Sequence, residues 1–109
     1  ESLSGGNQQK AVIARALSTN PKVVLLDEPT RGIDAGARGD VYSIIGKLKK
    51  QGVAVLLISS DLEEVVELSD RAVSMYQGHI NHTFKKEEID LDTLTAASFG
   101  VYEEGGREA

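Results

Sequence analysis

The chain has 109 residues, 12 Lys+Arg against 17 Asp+Glu for a net charge of -5, and no cysteine. That length suits one small domain, and the acidic balance argues against nucleic acid or an anionic membrane as a direct partner. Disulfide frameworks and thiolate metal sites are excluded, no apolar run is long enough to span a bilayer and no signal peptide is visible, so a soluble chain from a reducing compartment is expected.

The stretch Leu3 to Lys10 reads LSGGNQQK. Ser4, Gly5 and Gly6 stand at the mouth of a helical pattern, where first-turn N–H groups are unpaired and the macrodipole is positive. Bare glycine backbone can approach a phosphate closely. An ordinary helix start, with Ser4 as cap and the glycines as loop, is the plainer reading of these residues alone.

From Asn7 to Asn20 apolar residues recur at helical spacing, and Asn20-Pro21 stops the pattern. Lys22 to Leu26 is apolar without alternation, which predicts a strand buried on both faces of a parallel sheet. A loop rich in Gly, Pro and Asp follows. Val41, Ile44, Ile45 and Leu48 form the stripe of a helix from about Ala37 to Lys50, ended at Gly52. Val53 to Ser59 is a second apolar strand, completing a βαβ unit. Ser60 and Glu63 have capping-box spacing at the start of a short helix. RAVSMY and HINHTF flank Gln77-Gly78 as a hairpin, with His79 and His82 as exposed hairpin residues. A polar, weakly helical stretch stops at Gly100, and residues 101–109 read as a flexible tail. There are no repeats and no linker, so the chain is taken as one unit.

Asp27 and Glu28 fall at the carboxyl end of the first apolar strand, where open α/β sheets bind ligands. An Asp there can hold Mg²⁺, and a neighbouring Glu can take a proton from an attacking water.

LSGGNQQK, then VVLLDEPTRGID, then VLLISSDLEE resemble, in order and spacing, the signature, Walker B, D-loop and switch regions of ATP-binding-cassette ATPases. The resemblance runs from Glu1 to about Phe84. In detail it is similar to the second cassette of the double-cassette ATPases of bacterial sugar importers, those for ribose, xylose, galactose and arabinose, with a slight lean to the autoinducer-2 branch. It implies a partial P-loop NTPase (RecA-like) α/β fold with flanking helices and a C-terminal β-hairpin. It implies ATP and Mg²⁺ as cofactors, with Asp27 on the metal and Glu28 catalytic. Ser4, Gly5 and Gly6 would contact the γ-phosphate of an ATP held mainly by the opposite cassette. Asn7 stands where a glutamine is usual, and Asp34 corresponds to the D-loop aspartate at the dimer interface. Implied partners are a second cassette, transmembrane permease subunits and, indirectly, a periplasmic binding protein. The implied place is the cytoplasmic face of the bacterial inner membrane.

The pattern breaks twice. No GxxxxGK[ST] loop occurs in the 109 residues, so nothing here cradles the α- and β-phosphates. The chain therefore resembles the carboxyl-terminal part of one cassette, lacking the P-loop strand, inactive alone and prone to self-association through the gap in its sheet. Ser60 also stands where the family places a switch histidine. A serine there is common in second cassettes of this group, and it implies that the site built on Asp27 and Glu28 is slow or degenerate while the signature serves the partner. Two alternatives stand beside this reading: a fragment of a non-transport ATPase of chromosome maintenance or DNA repair, and an interaction module only. DEPT with NQQK, a hairpin after the switch and no heptads favour transport.

Overall fold

The computed structural model describes residues 5–102. The structure groups them into two compact units that divide between Ser60 and Asp61, where the sequence reading takes the chain as one.

The first unit runs α1 (Gly5–Leu17), β1 (Val23–Asp27), α2 (Ala35–Lys50) and β2 (Ala54–Ile58). β1 and β2 pair in parallel, Val23 opposite Ala54 through Asp27 opposite Ile58. The connection through α2 is the crossover that parallel strands require. Asn20 closes the α1 turn with φ +56, a left-handed setting that asparagine tolerates, and Pro21 then prevents continuation. α2 packs on β2 and buries Val41, Ile45 and Leu48, with Ile44 half-buried. Its basic last turn, Lys47, Lys49 and Lys50, complements the negative end of the helix.

The expectation of strands buried on both faces is corrected here. Val24 and Leu26 are buried, but Val23 and Leu25 are 57% and 65% exposed, and Leu56 and Ile58 lie half open on the same face. The apolar run reflects the composition of a two-sided strand. Within this unit one face carries the buried residues and the other is open.

The second unit holds α3 (Leu62–Leu68), β3 (Arg71–Tyr76), β4 (His79–Lys85), a 3-10 turn (Lys86–Glu88) and α4 (Leu91–Ser98). β3 and β4 form an antiparallel hairpin, separate from the β1–β2 sheet. Its two-residue turn is Gln77-Gly78, with φ +52 and +83. Positive φ at both positions matches the right-handed twist of the strands. Ala72, Phe84, Leu94 and Ala97 make the core, flanked by Val65, Val66, Ile89 and Tyr102. Asn81 ties the hairpin to α4: its Nδ2 donates to the Ala97 carbonyl at 2.9 Å, and its Oδ1 accepts from Ser74 Oγ at 2.6 Å. Asp90 caps α4 by accepting from the Thr93 N–H.

Three local expectations change. Asp61, not Ser60, caps α3; its Oδ1 accepts from the N–H groups of Glu63 and Glu64 at 3.1 and 3.3 Å. His82 is half-buried rather than exposed, edge-on to Tyr102 at 4.8 Å between centroids. Tyr102 packs there and on Phe84, so the predicted tail is anchored at its start, while residues 103–109 lie outside the described residues. No helix among the described residues is long and apolar enough to cross a membrane.

Candidate functional site

β1 ends in Asp27, whose side chain is exposed at the carboxyl end of the parallel pair. The Glu28 N–H donates to the Ile58 carbonyl at 2.7 Å, continuing the ladder past β1. There the backbone turns sharply, with Glu28 at φ +52. That region is unfavourable for a residue with a Cβ, and the following proline pushes its predecessor toward extended backbone. Such settings cost roughly 1 to 3 kcal/mol and persist only where the surroundings over-determine them.

The surroundings do so here. Pro29 is fully buried and Thr30 is buried. The Arg31 N–H donates to the Glu28 carbonyl at 3.2 Å. Gln9 Nε2, from α1, donates to the Pro29 carbonyl at 2.7 Å. Ser60, just past β2, fixes the side chain: its N–H and its Oγ both donate to Glu28 Oε1, at 3.1 and 3.2 Å. The capping-box reading of Ser60 is thus replaced. Asp61 accepts the first-turn N–H bonds of the helix, while Ser60 turns both of its donors to a carboxylate 32 positions earlier.

The two adjacent carboxylates sit in different settings. Asp27 is open, suited to a cation. Glu28 is half-buried and aimed by two donors on one oxygen. Among the described residues no group of three or more His, Cys, Asp or Glu comes together as a metal cage. Mg²⁺ does not demand one, since it binds through one or two carboxylates plus phosphate oxygens and water.

The remaining candidates are spread over the same unit. Asp34 is exposed and caps α2, its Oδ1 accepting from the Ala37 N–H at 2.8 Å. Gly32, at φ +74, makes the preceding turn. Gly5 and Gly6 are the first residues of α1 rather than a loop, so their N–H groups belong to the first turn. Asn7 is exposed on that turn, and Ser4 lies outside the described residues. The structure brings Glu28 and Ser60 into contact. It also adds Gln9, which the motif reading passed over as one more polar residue of NQQK. Its spacing from Ile13, one helical turn, was the available signal.

Comparison with known proteins fits this geometry. Residues 1–31 match the family model described as ABC transporter. The chain is 54% identical over 99 residues to the ribose import ATP-binding protein RbsA 2 of Rubrobacter xylanophilus, covering 91% of this chain and 19% of that protein. Among solved structures it is similar to a nucleotide-free ATP-binding cassette from an ABC transporter, with TM-score 0.75 and 35% identity over 81% of this chain and 35% of that one. A dimeric cassette in a post-hydrolysis state bound to ADP and Pi matches with TM-score 0.69 and 30% identity, over 77% of this chain and 36% of that one. The chain spans about a fifth of the length of the curated relatives it matches. On the motif order, the relatives and the shared fold, the chain is similar to one part of the ATP-binding cassettes of ABC transporters.

Proposed function

We propose that this segment is the signature-to-switch part of the second cassette of a sugar-import ATPase, and that its two halves of chemistry serve different nucleotides. The reading is carried by the 54% identity, over 91% of the chain, to a ribose import ATP-binding protein. Ribose is accordingly the first solute to test and autoinducer-2 the second.

In this reading Ser4, Gly5, Gly6 and Asn7 close on the γ-phosphate of ATP held by the opposite cassette. Hydrogen-bond donors and a helix start favour that anion. Asp34 lies at the dimer interface. The dimeric cassettes among the structural relatives support such pairing. Asp27 is the residue suited to Mg²⁺, which would neutralise phosphate charge when bound. Glu28 is placed to accept a proton from water. Ser60 engages one Glu28 oxygen through two donors. A serine hydroxyl orients that carboxylate but cannot bridge phosphate and water as an imidazole does. This supports a weak site on Asp27 and Glu28 beside an intact signature. The subunit works at the cytoplasmic face of the membrane, with permease subunits as further partners and a periplasmic binding protein beyond them.

The test compares two samples. The full-length subunit carrying this segment hydrolyses ATP with Mg²⁺. The 109-residue chain alone gives no turnover, because no residue in it cradles the α- and β-phosphates. Turnover by the purified chain that disappears in Glu28→Gln would overturn the division of labour. A full-length subunit whose ATPase ignores its permease would point to the non-transport alternative.

A further inference from the structure

α1 is a lightly seated helix. Among its described side chains only Ile13 is buried, while Val12 is 52% exposed. Polar bridges supplement that apolar anchor. Lys10 Nζ pairs with Asp40 Oδ2 of α2 at 3.0 Å, across an exposed surface where such a pair contributes little. Gln9 Nε2 donates to the Pro29 carbonyl at 2.7 Å, and this bridge is half-buried. Pro29 is fully buried and directly follows the left-handed Glu28. Its carbonyl therefore sits at a point where the backbone has little freedom. Gln9 lies one helical turn from Gly5. A helix transmits a fixed orientation over one turn, so whatever holds Gln9 sets where the Gly5 and Gly6 N–H groups point.

We propose that Gln9 is a positioning residue that latches the glycine-bearing helix to the acid loop. Its donor fixes the helix start for catalysis in the opposite cassette and, from the other side, supports the strained Glu28–Pro29 backbone. The inference rests on the reading above and adds the residue through which the two motifs are mechanically joined.

The experiment uses the full-length subunit with steady-state ATPase and thermal unfolding as readouts. Gln9→Met keeps length and helix propensity but has no donor. Gln9→Lys keeps a donor that reaches the same carbonyl. Gln9→Met is expected to lower kcat about tenfold, since the helix start is no longer held in its productive orientation, with KM for ATP changed less than about twofold. Gln9→Lys retains most of the wild-type kcat and melts close to wild type, while Gln9→Met melts slightly lower. Equal rates in Gln9→Met and wild type, or equal losses in Gln9→Met and Gln9→Lys, overturn the latch. Ser4→Arg is run beside them. Full activity in Gln9→Met with Ser4→Arg inactive overturns the latch alone. Full activity in both overturns the latch together with the assignment of the signature helix.

Discussion

Ser4→Arg in the full-length subunit is expected to lower ATP turnover by about a hundredfold or more, the scale set by removing preorganised anion stabilisation. Glu28→Gln in the same subunit leaves most of the rate. The asymmetry follows from where each residue acts. Ser4 directly precedes Gly5 and Gly6, the opening residues of α1. An arginine there removes the hydroxyl donor, adds a cation at the positive end of the helix and places bulk where bare backbone must approach phosphate. If the signature closes on the opposite nucleotide as proposed, all three changes harm that surface. In the proposed reading Glu28 belongs to the other site, and the group that meets its carboxylate there is the Ser60 hydroxyl. Ser4→Ala separates the effects: it loses the hydroxyl without the bulk or the charge, and its deficit should be intermediate. Equal losses in Ser4→Arg and Glu28→Gln, or a larger loss in Glu28→Gln, would sink the asymmetry.

Phe84→Ala is expected to destabilise the second unit by about 3 to 4 kcal/mol, within the range for emptying a buried aromatic site. Phe84 is 2% exposed at the centre of the Ala72–Leu94–Ala97 core. Its ring also meets Tyr102 at 5.7 Å and His82 at 6.1 Å between centroids. The partners cannot readily collapse into the space, because Ala72 and Ala97 are already small and Asn81 holds the hairpin to α4 at a fixed distance. Urea unfolding followed by circular dichroism checks the figure. Exposed Val73, on the opposite face of β3, serves as the control. A loss no larger than that of Val73→Ala would mean that the hairpin and α4 are not held by this core.

The elements were legible where local chemistry and tertiary packing agree. The stripe of Val41, Ile45 and Leu48 predicts α2 and is its buried face. Gln77-Gly78 predicts the hairpin turn and has the required positive φ values. Legibility failed where a residue had two possible partners. Ser60-Asp61 offers two consecutive capping side chains, and spacing alone favours Ser60 with Glu63. Only the fold shows that Glu28 claims Ser60. The strand run Val23 to Leu26 reads as two-sided because its outward residues are as apolar as its inward ones, yet Val23 and Leu25 are open. The turn after β1 was legible as a loop carrying two adjacent carboxylates, but its left-handed Glu28 was not. Nothing in DEPT announces a positive φ before proline, and the contacts that hold it come from α1 and from beyond β2.

The central claim is that this segment's signature serves the nucleotide of the opposite cassette while its own acid site is weak. Locating the trapped nucleotide tests it most directly. The full-length subunit is incubated with Mg²⁺, vanadate and a photoreactive ATP analogue, irradiated, cleaved between its cassettes and mapped. The account predicts that the label falls mainly on the cassette that does not contain Asp27 and Glu28, and that Ser4→Arg abolishes it. Label concentrated on the cassette that carries Asp27 and Glu28, unaffected by Ser4→Arg and lost in Glu28→Gln, would contradict it.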